Sequence, residues 1–118
     1  MFKRWFVSQR DLLYLDTVKA RDVIIHCFYS AQKETFARIK DKEKLPATDQ
    51  DIKNTVTAAI KSVFTTAGEN FDNPTKEGLA KVVSLLASQA KSWGTPDDII
   101  EHHKEQIQKV LDALQKTG

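Results

Sequence analysis

The chain has 118 residues, of which 41% are hydrophobic and 29% charged, a balance that bounds one globular domain over 1–118 and excludes a disordered tail. Its apolar stretch Val23–Ala31 runs nine residues, short of the about 20 that a transmembrane helix needs. Net charge is +2, from 18 basic and 16 acidic side chains, too small by itself to imply a polyanionic partner.

The first element is expected to be a long helix over 9–41. Ser8 followed by Asp11 forms a capping arrangement, in which the hydroxyl accepts a backbone N–H that the first turn leaves unpaired. Two apolar stripes can be drawn on this helix. Leu12, Leu15, Val18, Ile25, Phe28, Tyr29, Phe36 and Ile39 make one; Leu13, Ala20, Val23, Ile24, Cys27 and Ala31 make the other. A helix apolar on every side is buried on every side. At 1.5 Å per residue it would span roughly 50 Å, against roughly 30 Å for a 20-residue neighbour, so it either kinks or packs partly on another chain. On propensity alone Val23–Tyr29 also suits a strand, but no second strand-like run exists to pair with it.

A second helix is predicted over 49–67, where Pro46 and Thr48 precede Asp49 and Asp51 at the positive end of the helix dipole and Gly68 is placed to end it. A third is predicted over 74–92, with Asn73 as cap, Pro74 as first residue and Gly94 as terminator. Thr95-Pro96-Asp97-Asp98 then starts a fourth over 96–115. Each has one apolar stripe at spacings of three and four, such as Ile52, Val56, Ile60, Val63 and Phe64 in the second. The predicted fold is all-α, an antiparallel four-helix bundle with a long first helix.

Chemistry is sparse. Cys27 is the only cysteine, which rules out an intrachain disulfide and a cysteine-based zinc cluster. His103 falls on the apolar stripe of the fourth helix, and if that helix packs on the first, His26, Cys27 and His103 are candidates for one buried polar cluster. A Cys–His pair is a recognised way to activate a thiol, although cysteine surrounded by apolar groups is inert. No Glu-x-x-His or His-Glu-x-x-His pattern exists for a metal, and Asp98 with His102 has only a two-ligand spacing. The four glycines at 68, 78, 94 and 118 are too scattered for a phosphate cradle. No catalytic residue, metal or cofactor is expected.

The positive excess lies at the start, since residues 1–40 hold eight basic and four acidic side chains. Lys3, Arg4, Trp5 and Arg10, with Arg21 and Arg38 further on, make a candidate nucleic-acid or membrane contact, because rings stack on bases and cations meet phosphates. The turn Trp93–Pro96 is compatible with a helix-turn-helix, but Asp97, Asp98 and Glu101 would then face phosphate, and like charges repel. Met1–Gln9 lacks the apolar region of a secretory signal, so a cytoplasmic location is expected. The leading expectation is a non-catalytic helical interaction module that forms a homodimer, or meets another protein, through Leu13, Ala20, Val23, Ile24, Cys27 and Ala31. The alternatives are an accessory nucleic-acid-binding protein using the basic-aromatic start, and a small enzyme or ligand-binding bundle using His26, Cys27 and His103.

Overall fold

Five helices make up the fold: α1 (Gln9–Leu12), α2 (Thr17–Arg38), α3 (Asp49–Ala67), α4 (Lys76–Ser92) and α5 (Asp97–Lys116). They belong to a computed structural model that describes residues 6–38 and 48–116; 80% of these are helical and none lies in a strand. The all-α expectation holds, including at Val23–Tyr29, which is helical. The count of four helices does not, because the predicted first helix is two. Its predicted end at 39–41, and Pro46, lie outside the described residues.

The break has a local cause. Ser8 caps α1 as expected, its Oγ accepting from the Asp11 N–H at 3.2 Å while the Asp11 carboxylate accepts from the Ser8 N–H at 3.0 Å. The Ser8 backbone N–H holds the Asp11 carboxyl below its ordinary range. After one turn, however, Asp16 captures the next free donors. Its Oδ1 accepts from the Lys19 N–H at 2.7 Å and its carbonyl from the Ala20 N–H at 2.8 Å, so a second helix starts there. Leu13 becomes extended, Tyr14 takes φ +52°, and the Lys19 ammonium donates to the stranded Leu13 carbonyl at 2.8 Å. The break also solves the length problem, since α2 at 22 residues is close to the 19, 17 and 20 of α3, α4 and α5.

The remaining boundaries follow their caps. Thr48 and Asp51 form a reciprocal capping box, and Gly68 at φ +73° closes α3 by donating to the Phe64 and Thr65 carbonyls. Helix α4 starts two residues later than predicted, because Thr75 rather than Asn73 is the cap: its Oγ1 accepts from the Gly78 N–H at 2.9 Å. Pro74 stands buried just before it. Helix α5 is shifted by one residue.

The four long helices close a ring of neighbours, α2 against α3, α3 against α4, α4 against α5 and α5 against α2, while α1 lies on α5. Lys33 meets Asp49 at 3.3 Å at one end of the α2–α3 pair, whereas Arg21 and Lys61 both reach Phe71 at the other, so these two helices run antiparallel. The expected stripes supply the core, with Ile60, Leu86 and Val110 deep within it. No described helix is long and apolar enough to cross a membrane.

Two backbone sites with the same handedness carry opposite residues, and their exchanges have opposite signs. The Tyr14 side chain is 94% exposed, so Tyr14→Gly removes strain with almost no packing lost and raises stability by about 0.5–1 kcal/mol. Gly68→Ala meets no atom within 4 Å and costs about 1 kcal/mol through its backbone alone. Urea melts of the two variants check the pair; equal signs would contradict the backbone assignment.

Candidate functional site

The second stripe of the predicted first helix is enclosed by its own chain. Ala20, Ile24, Cys27 and Ala31 are between 0 and 4% exposed and belong to the interior, Val23 is half-buried, and only Leu13 stands out, at 57%. The reason is residue size. Ala20, Cys27 and Ala31 recur at spacings that keep them on one face of α2, and small side chains let a neighbouring backbone come close. Helix α5 uses that space, bringing the His103 carbonyl oxygen to 3.7 Å from the Cys27 Sγ. The stripe seats α5 of the same molecule, so it offers no surface to a partner.

That contact also decides what becomes of the polar cluster. Cys27 and His103 do meet, but through the histidine backbone. The His103 ring is buried and directed along its own helix, with Nδ1 2.8 Å from the Ile99 carbonyl oxygen, which accepts and so places the proton on Nδ1. His26 does not join them, because consecutive residues of a helix point about 100° apart. It lies on the solvent side of α2, its ring 5.8 Å from that of Tyr29. Burial pushes the Cys27 thiol strongly up from its ordinary range, the opposite of what a nucleophile needs. Among the described residues no three His, Cys, Asp or Glu side chains are grouped to hold a metal ion.

Of the proposed nucleic-acid contacts, Lys3, Arg4 and Trp5 lie outside the described residues, as does the side chain of Arg38. Arg10 is exposed on α1. Arg21 is committed within the fold: its guanidinium donates to the Phe71 carbonyl at 2.6 Å and to the Asp22 carboxylate at 2.8 Å, and lies 4.6 Å from the centre of the Phe71 ring. Val7, just ahead of α1, is fastened to the bundle by Gln106, which is 1% exposed and accepts from the Val7 N–H at 2.9 Å. Phe6 adds an edge contact to the His102 ring, with centroids 4.7 Å apart.

Two residues that carry much of this arrangement have no prominence in the sequence. Gln106 lies on the stripe Ile99–His103–Gln106–Val110, so its spacing was the available signal for burial. Tyr14 had none, because nothing in Leu12-Leu13-Tyr14-Leu15 marks a left-handed turn. The structure there exposes two large side chains side by side, Leu13 and Tyr14, with Val18 at 38% on the first turn of α2. Of the residues weighed as an interface, Leu13 is the one left at the surface of this corner.

Comparison with protein-family models, with curated proteins and with solved structures finds no match for the chain.

Two solution properties follow from these placements. Cys27 in the native protein is expected to react with a disulfide reagent at pH 8 only as fast as the molecule opens, and promptly in denaturant; equal rates in both would contradict its enclosure. His26 is less basic than its ordinary 6.5, through partial desolvation and the charges of Lys53 and Lys33, with Asp11 opposing. The unfolded chain therefore takes up this proton first as pH falls. The contribution of His26 to stability is present above pH 6.5 and is lost on descent through its lower folded value. Denaturant melts between pH 8 and 5 should show a smaller loss for His26→Gln, and parallel curves would contradict it.

Proposed function

We propose that the protein is a non-catalytic interaction module, an antiparallel four-helix bundle of α2–α5 preceded by a short capped turn, and that it pairs with a second copy through the α1–α2 corner. The observation that carries this reading is Tyr14, held at φ +52° with its ring 94% exposed beside Leu13 at 57%. A left-handed conformation costs a bulky residue about 1 kcal/mol or more, and a strained residue with nothing packed on it in the free chain points to a role outside that chain.

A second copy is favoured as occupant because the same corner carries both signs of charge. Asp16 lies along the edge with Lys19 and Arg10, so a two-fold axis sets cations against a carboxylate around the apolar centre. Burying a leucine and a tyrosine from each copy gains several kcal/mol, most of it offset by the freedom lost on association. The expected dimer is weak, with a Kd on the order of 100 µM. A lone, deeply buried thiol fits a reducing, cytoplasmic setting.

Sedimentation velocity from 10 µM to 1 mM tests the reading. The wild type should shift from monomer towards dimer, and Leu13→Asp should stay monomeric with an unchanged melting temperature. Tyr14→Gly should pair less while folding more stably, a combination that a purely structural tyrosine would not give. A monomer at every concentration would overturn the proposal.

A further inference from the structure

Helices α2 and α3 bear two facing rows at the i, i+4, i+8 spacing that keeps side chains on one face. Arg21, Ile25 and Tyr29 form the row on α2; Lys53, Thr57 and Lys61 form the row on α3. Between them runs a groove of about 560 Å³, closed at one end by Phe71 and bordered by His26. That volume is within the range of small-molecule sites.

Its charges are unbalanced. The one carboxylate in the lining, Asp22, is taken by the Arg21 guanidinium through Nε at 3.1 Å and Nη2 at 2.8 Å. Lys61 lies 5.1 Å from the Phe71 ring centre, and neither Lys61 nor Lys53 has an ion pair among the described residues. Eight residues apart on one helix, their Cα atoms are about 12 Å apart, so two long flexible ammonium groups can close on one ligand lying along the groove. Lys33, already paired with Asp49, adds a third cation above the Tyr29 ring at 5.6 Å. A groove with an excess of one sign of charge concentrates the opposite ion.

We infer that this groove is a binding site for a small phosphate-bearing anion of nucleotide size, its phosphates held by Lys53 and Lys61 and its body lying along Ile25 and Tyr29. The site is independent of the α1–α2 corner, with which it shares no lining residue. His26 is its built-in reporter. The charged and titratable groups that face it or share its groove are Asp11 from α1, Lys19, Arg21, Asp22, Tyr29 and Lys33 from its own helix, and Lys53 and Lys61 from α3. An anion seated between the lysines offsets the cations that now disfavour the imidazolium, so binding makes His26 more basic.

The test is an NMR titration of the full chain in 100 mM salt with ATP, pyrophosphate, sulfate and a short single-stranded oligonucleotide, read at the His26 ring and the Lys53 and Lys61 amides. Expected are saturable shifts with ATP and pyrophosphate, an upward move of the His26 titration midpoint when ATP is bound, and affinity weakened about tenfold or more in Lys53→Gln/Lys61→Gln. Both lysines are exposed, so an unchanged melting temperature shows that this variant is folded. The inference is overturned if ATP leaves these signals in place, if the double variant binds as well as the wild type, if sulfate at equal ionic strength matches ATP, or if the oligonucleotide alone binds. Loss of dimerisation in Leu13→Asp should leave ATP binding intact, which separates the two readings.

Discussion

The contact between α2 and α5 organises the molecule. Three small residues, Ala20, Cys27 and Ala31, leave a shallow channel on α2, and the backbone of α5 lies in it closely enough for the His103 carbonyl to touch the Cys27 sulfur at 3.7 Å. Bulkier residues take over on either side, with Ile24 and Phe28 turned into the interior. This approach fixes the distance at which α3 and α4 complete the ring. It also fixes where Gln106 sits, and hence where Val7 is tied down ahead of α1. Close packing of this kind tolerates little change in volume, which makes the small residues as consequential as the large ones.

The same contact sorts the surfaces of α2. The face towards α5 is consumed, so the edges that this helix leaves open are the corner ahead of it and the flank towards α3. These edges differ in chemistry. The corner is apolar at its tip, held in place by Asp16 and by the Lys19 ammonium on the Leu13 carbonyl. The flank is cationic, because Asp22 is spent on Arg21 and Arg21 in turn pins the turn at Phe71. A single helix thus supports the core with one side and presents two unlike surfaces with the others.

Much of the fold was legible wherever a local signal decided the outcome. Thr48 with Asp51 and the glycine at 68 bracket α3 at the predicted residues, since capping chemistry acts over three or four positions and is written in the chain. The break at 13–16 was not legible, because Leu12, Leu13 and Leu15 continue an apolar pattern across it, and the advantage of a shorter α2 exists only against neighbours of that length. Counting apolar circumference also misjudged the stripe at Ala20, Cys27 and Ala31. Hydrophobicity says that a face is covered; residue size says how closely, and small residues signal a close backbone from the same fold as readily as a partner. His26 and Cys27 could have been separated beforehand, since neighbours on a helix diverge. The groove between α2 and α3 depends on which helices are adjacent, which periodicity does not reveal.

The most direct measurement enlarges one residue in the channel. Ala20 is 0% exposed, and Ala20→Leu adds three carbons where α5 already lies. The expected result is a loss of about 2–3 kcal/mol in urea unfolding, the same at 5 µM and at 200 µM protein. Unaltered stability together with an altered state of association would contradict the account, because the stripe would then face a partner and not the interior of its own chain.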